Sequence, residues 1–275
     1  MAHTTAPTLE KARTADGVAI AYTTIGTGPV ALIALHGWGG AGSGHSWRDV
    51  ITHLDLTGLR FIAVDLRGHG ASDRTETGFD LDVFGRDVLA VADHAGVGRF
   101  ILVAYSMSGR WSQWIACTFC DRVLGQILIA PAPACALPLS NELLESWMRE
   151  TRTRESFEPW VNQFTSEPLP ADIVDAYFDD VSRASDRAKR ETFGMLCRDD
   201  FSDSLKATAS RTLVLAGAHD PILSPEFLRQ ETVARIPGAR LVRFDCGHEI
   251  PVERPAQAAA VMEAFLAGLI VGARV

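Results

Sequence analysis

Short apolar runs alternate along this chain with longer stretches in which apolar residues recur every three or four positions. The runs at 30–35, 60–66, 123–130, 211–216 and 240–244, and the one leading up to Ser106, put Val, Ile and Leu on consecutive positions. That is the pattern of strands buried on both faces. Stretches at 46–54, 81–95, 225–236 and 255–270 have helical character. Residues 8–24 read as a hairpin turned at Asp16-Gly17. Buried strands alternating with helices predict an α/β fold, a mostly parallel sheet of the eight-stranded type with helices on both faces. In such sheets the ligand site lies beyond the carboxyl ends of the strands. His36, Asp65 and Ser106 each stand at or just past such an end.

From 131 to 206 the strand pattern stops. At 142–151 and 172–181 apolar residues fall at helical spacing: Leu143, Leu144, Trp147 and Met148 in one, Ile173, Val174, Tyr177, Phe178 and Val181 in the other. Residues 138–206 hold 15 Asp and Glu against 9 Lys and Arg, so an apolar inner face and a solvated acidic outer face are expected. The expected organisation is a core domain of residues 1–130 and 207–275, with a helical cap of residues 131–206 over the active edge of the sheet. Helices that merely decorate the core are the alternative.

The segment around Ser106 is the most informative. An apolar β-branched run enters Tyr105-Ser106-Met107-Ser108-Gly109 and continues as Arg110-Trp111-Ser112-Gln113-Trp114 with helix character. A strand turning sharply into a helix at a serine is the nucleophile elbow, a strained turn that lifts the hydroxyl clear of the backbone. Strand and helix nearly touch there, so the residues two before and two after the serine must be small. Ala104 and Ser108 stand where Gly is usual, with Gly109 following.

Composition narrows the field. A length of 275 residues, 47% of them apolar, is enough for one large core. A net charge of −8 argues against a nucleic-acid surface, which needs a basic face. No apolar run reaches membrane-span length, and the amino-terminal residues, His3 among them, lack the features of a secretory signal, so a cytoplasmic location is expected. Five irregularly spaced cysteines suggest reduced thiols, and the pair Cys117 and Cys120 is expected to be buried rather than to hold a metal. No metal-ligand spacing is apparent and no cofactor is expected.

Four motifs, in this order, resemble those of the α/β-hydrolase superfamily: His36-Gly37-Trp38-Gly39-Gly40; Asp65-Leu66-Arg67-Gly68-His69-Gly70-Ala71-Ser72-Asp73; the Ser106 elbow; and Gly217-Ala218-His219-Asp220-Pro221 followed by Gly247-His248. The resemblance runs from His36 to the carboxyl terminus. It implies a catalytic triad with Ser106 as nucleophile, Asp220 as acid and His248 as general base.

The same assignment has a chemical basis. A serine hydroxyl needs a base to take its proton, and an imidazole titrates near working pH. His3 lies in a loosely held end, and His45, His53 and His94 lie in or beside peripheral helices. His69 sits in a glycine-flanked loop and is expected to bond backbone. His36 reads as a scaffold for the loop it opens. His248 follows a strand and Gly247, and can reach over the strand ends. Asp220 ends another strand 28 residues earlier, where a carboxylate can hold the imidazole tautomer. The backbone amides of Trp38 and Met107 are the expected oxyanion hole.

Trp147, Trp160, Phe164, Tyr177, Phe193 and Met195 are the expected pocket walls. No Arg or Lys is clearly placed to take a carboxylate, so the expected partner is a small, neutral, largely apolar carboxylic ester or lactone. A C–C bond hydrolase with the same triad, a cofactor-free perhydrolase or dioxygenase, and a ligand receptor retaining the triad are alternatives. Oligomeric state is not legible.

Overall fold

The computed structural model describes residues 7–40 and 45–272; the reading of the amino-terminal segment and His3 lies outside them. Eight strands form one sheet: Thr8–Arg13 (β1), Ala19–Ile25 (β2), Val30–Leu35 (β3), Leu59–Val64 (β4), Phe100–Tyr105 (β5), Val123–Ile129 (β6), Arg211–Gly217 (β7) and Arg240–Phe244 (β8). Their spatial order is β1-β2-β4-β3-β5-β6-β7-β8. β2 pairs antiparallel with β1 and β4, and every other pairing is parallel. The amino-terminal pair is the expected hairpin, with Thr8 opposite Thr24 and Gly17 at φ 84° in the turn.

Strand side chains alternate between two cores, which is why the runs are apolar throughout. On β5, Phe100, Leu102 and Ala104 join Trp111, Phe84 and Val88 on one face. Ile101, Val103 and Tyr105 join Trp47, Phe61 and Met262 on the other. Each large aliphatic or aromatic side chain so buried contributes roughly 1.5–3 kcal/mol, so neither face of the central strands can tolerate a run of polar residues.

The helices are His45–His53 (α1), Leu81–His94 (α2), Ser108–Thr118 (α3), Asn141–Glu150 (α4), Arg154–Val161 (α5), Ala171–Ser182 (α6), Asp186–Arg198 (α7), Pro225–Leu228 (α8), Ile250–Glu253 (α9) and Pro255–Gly272 (α10). Ser140, Thr153 and Ser185 cap α4, α5 and α7 by accepting from Leu143, Ser156 and Ala188 amides. Two helices escape the sequence pattern: Pro159 interrupts the signal of α5, and charged residues dominate the first turns of α7. The helix expected over 225–236 is instead short α8 followed by one wide turn, in which the Ala234 amide donates to Arg229 at 2.9 Å. That turn seats Ile236 against Ala134, Phe201 and Leu205.

Between β6 and β7, residues 130–210 contain helices α4–α7 and no strand. Arg110, wholly buried on α3, ties both ends of this insert to the sheet. Its guanidinium donates to the carbonyls of Pro133 (2.8 Å), Met195 (2.8 Å), Asp199 (3.0 Å) and Cys135. Burial among carbonyls pulls its pKa down to about 10. A second buried cation, Arg67, forms a two-point pair with Asp87 at 2.6 and 2.7 Å, fixing the loop after β4 to α2.

The five cysteines are unpaired. Cys117 is half-buried on α3, but Cys120 is exposed beyond the end of that helix, contrary to the expected burial of both.

The close approach of strand and helix falls at Gly109. A Cβ there would stand 2.2 Å from Pro131 Cβ, whereas Ser108 fits with its hydroxyl bonded to the His36 carbonyl. Gly109→Ala therefore forces α3 away from the β6 exit and is expected to cost about 1–3 kcal/mol. Urea unfolding measures this as a lower midpoint, and an unchanged midpoint contradicts the contact.

Candidate active site

Ser106 sits between β5 and α3 with φ 52°, one of two described non-glycine residues with positive φ. Its backbone is fully engaged: the amide donates to Ile129 (2.9 Å), and the carbonyl accepts from Gly109 (2.9 Å) and Ala132 (2.8 Å). The side chain points to His248, whose Nε2 is 2.8 Å from Ser106 Oγ. His248 Nδ1 is 2.6 Å from Asp220 Oδ2. Asp220 Oδ1 accepts from the amides of Ile222 (2.8 Å) and Leu223 (2.9 Å), which orients the carboxylate. Nδ1–H donating to the carboxylate leaves Nε2 free to accept the serine proton.

Asp220 and His248 are both 5% exposed, so burial works against each charge. For His248 the burial penalty is outweighed by the Asp220 carboxylate, and its pKa stands above 6.5. For Asp220 burial is likewise outweighed, by His248 and the two amides, and its pKa stands below the usual carboxylate value. The loop carrying His248 is pinned by its own amide, which donates to the Phe164 carbonyl at 2.6 Å.

Met107 follows Ser106 in the turn, and Trp38 follows Gly37, where a Cβ would stand 3.4 Å from Ser106 Cβ; neither backbone amide makes a hydrogen bond among the described residues. Trp38 is held by its indole, which donates to the Lys189 carbonyl at 2.9 Å. His36 props the same loop: Leu66 N–H donates to its Nε2 (3.1 Å), leaving Nδ1–H to donate to Gly37 (2.8 Å). Burial lowers its pKa and keeps it neutral. His69 bonds the Arg67 carbonyl at 3.0 Å, and burial also holds it neutral. His219 pairs with Asp245 at the surface, 2.8 Å away.

A chamber opens over Ser106 and His248. Trp147, Trp160, Phe164 and Tyr177 line it, and so do Trp38 and Ile222. Two of the expected wall residues are elsewhere. α7 is packed on two sides: Phe193 faces α4, edge-on to Trp147 at 5.6 Å, and Met195 is buried in the core that includes Leu137 and Trp111. Four polar lining residues lie outside the expected set: Ser46, Tyr105, Asp180 and Glu249. The signal for Glu249 was present, an acid set between His248 and the apolar Ile250-Pro251-Val252. Among the described residues no group of three or more His, Cys, Asp or Glu gathers as metal ligands would. No described helix is long and apolar enough to cross a membrane.

A family model described as "alpha/beta hydrolase fold" matches residues 30–255. The non-heme chloroperoxidase CPO-A1 of Kitasatospora aureofaciens is 27% identical over 248 residues, covering 84% of this chain and 89% of that protein. The 3-oxoadipate enol-lactonase 2 of Acinetobacter baylyi is 26% identical over 202 residues, covering 70% of this chain and 73% of the lactonase. Among solved structures, an esterase from Exiguobacterium antarcticum superposes with a TM-score of 0.84 at 21% identity, covering 94% of this chain and 98% of the esterase.

The Asp220 carboxylate is what lifts the imidazole's pKa against its burial. An NMR titration of His248 is expected to find its midpoint above 6.5 and to fall by about one unit or more in Asp220→Asn. The sign follows for stability as well. A raised histidine pKa contributes stability that is complete below 6.5 and lost as pH rises through the folded value. A midpoint unmoved by Asp220→Asn contradicts the pairing.

Proposed function

The chain belongs to the alpha/beta hydrolase fold family, and from that premise we propose that it is a serine hydrolase acting on a small, neutral, largely apolar carboxylic ester or lactone. The observation that carries this reading is the continuous hydrogen-bonded array from Ser106 through His248 to Asp220, at 2.8 and 2.6 Å, opening into the aromatic chamber.

In the proposed mechanism Ser106 Oγ attacks the substrate carbonyl while His248 Nε2 takes its proton. Asp220 holds the tautomer and stabilises the imidazolium. The negative oxygen of the tetrahedral intermediate is received by the amides of Trp38 and Met107. Each such donor is worth about 10²–10³ in rate. Collapse expels the alcohol, protonated by His248, and leaves an acyl-serine. Water then attacks the acyl group, with His248 again as base, and releases the acid. The insert acts as a cap, since α4, α5, the turn after α5 and α6 supply most of the chamber's aromatic wall. No metal or redox cofactor enters these steps.

The chloroperoxidase among the relatives supports a second reading, perhydrolysis, in which hydrogen peroxide replaces water at the same acyl-serine and a peracid leaves. Product analysis with peroxide present separates the two.

A p-nitrophenyl ester of a medium-length acid is the direct probe. The expected result is a stoichiometric burst of nitrophenolate followed by slower turnover. Ser106→Ala is expected to abolish the burst and lower kcat/KM by at least about a thousandfold. Ligand binding without turnover in the native protein favours a receptor and contradicts the proposal.

A further inference from the structure

Part of the chamber's lining is acidic and phenolic rather than apolar. Glu249, directly after His248 in the chain, lines the chamber at only 7% exposure. Tyr177 of α6 donates its hydroxyl to Glu249 Oε2 at 2.7 Å. The Tyr105 phenol lies against the same carboxyl, and both phenols are pushed well above their ordinary pKa by burial and by that neighbour. Burial likewise raises the pKa of Glu249. Asp180, the other lining carboxylate, is paired with Arg183 at 2.6 Å. Neither Lys nor Arg lines the chamber among the described residues.

The proposed mechanism has no use for Glu249: its carboxyl is bonded to Tyr177 rather than to Ser106 or Asp220. Two phenols use only part of what a carboxyl can accept, since its two oxygens offer about four acceptor sites. Its acceptor oxygens complement a hydroxyl on a substrate. A substrate carboxylate brought into the same apolar space finds acceptor oxygens where it needs a donor and neither Lys nor Arg to pair with, and His248 is already paired with Asp220.

We propose that Glu249, held by Tyr177, is the specificity residue of this chamber: it favours acyl chains ending in a hydroxyl and rejects those ending in a carboxylate. The inference rests on the serine-hydrolase reading and extends it from bond type to acyl group. Tyr177 acts as the positioning residue, bringing the insert to bear on substrate choice.

The test compares three p-nitrophenyl esters of equal chain length, the hexanoate, the 6-hydroxyhexanoate and the adipate monoester, at about pH 8. In the native enzyme kcat/KM for the adipate monoester is expected to fall at least about tenfold below that for the hexanoate. The 6-hydroxyhexanoate is expected to equal or exceed the hexanoate. Glu249→Gln is expected to narrow the adipate-to-hexanoate gap by about tenfold, chiefly through KM, and Glu249→Leu to lose the hydroxyl preference. Equal cleavage of hexanoate and adipate monoester by the native enzyme overturns the proposal with no variant required. An unchanged ratio in folded Glu249→Gln overturns it too. Absence of hexanoate cleavage, or its persistence in Ser106→Ala, fails the serine-hydrolase reading instead.

Discussion

The turn at Ser106 is the constraint on which the rest of this molecule depends. A residue with a Cβ at φ 52° is held at a cost of about 1–3 kcal/mol. The conformation persists because the surroundings leave it no alternative. Three backbone hydrogen bonds grip the residue on both sides, two of them from the β6 exit. Gly109 lets α3 lie against Pro131, a contact that even a methyl group would break. The strain is local, and the compensation is spread over two strands, one helix and both cores. What the turn secures is the direction of one hydroxyl.

The partners of that hydroxyl come from strands two and three places away. Asp220 follows β7 and His248 follows β8, and the parallel register puts all three residues at the same edge of the sheet. The insert also contributes to this alignment. Phe164 accepts the His248 amide, and Ser166 and Gly247 both donate to Glu253, so the loop carrying the imidazole is clasped to the segment after α5. Arg110 fastens the entry and exit of the same insert. An insert anchored in this way serves as wall and brace together, and any opening movement near Phe164 would disturb the imidazole as well as the chamber.

Most of the fold was legible because the two-faced burial of a parallel sheet writes itself as continuous apolar runs, and because glycines and a serine stand at the strand ends. The set of Ser106, His248 and Asp220 is implied by the resemblance of four motifs to the α/β-hydrolase superfamily and by the place of these residues at or just past apolar runs. The insert was read less well, for physical reasons. Met195 and Phe193 carry the right side chains for a pocket, but α7 is packed on two sides, and composition does not say which face of a helix meets a cavity. α5 and α7 were hidden by a proline and by charge. What holds Glu249 in the chamber is not a neighbour in the chain. Its actual partner, Tyr177, is 72 residues away in the chain, and no local pattern reports such a pair.

The central claim, that Ser106 is the nucleophile, is tested most directly by covalent trapping. Incubation with an alkyl p-nitrophenyl phosphonate, followed by intact-mass analysis and peptide mapping, is predicted to give one adduct per chain on the peptide containing Ser106, with matching loss of esterase activity. An enzyme that turns over esters while Ser106 stays unlabelled, or that carries the adduct on another residue, would contradict the account.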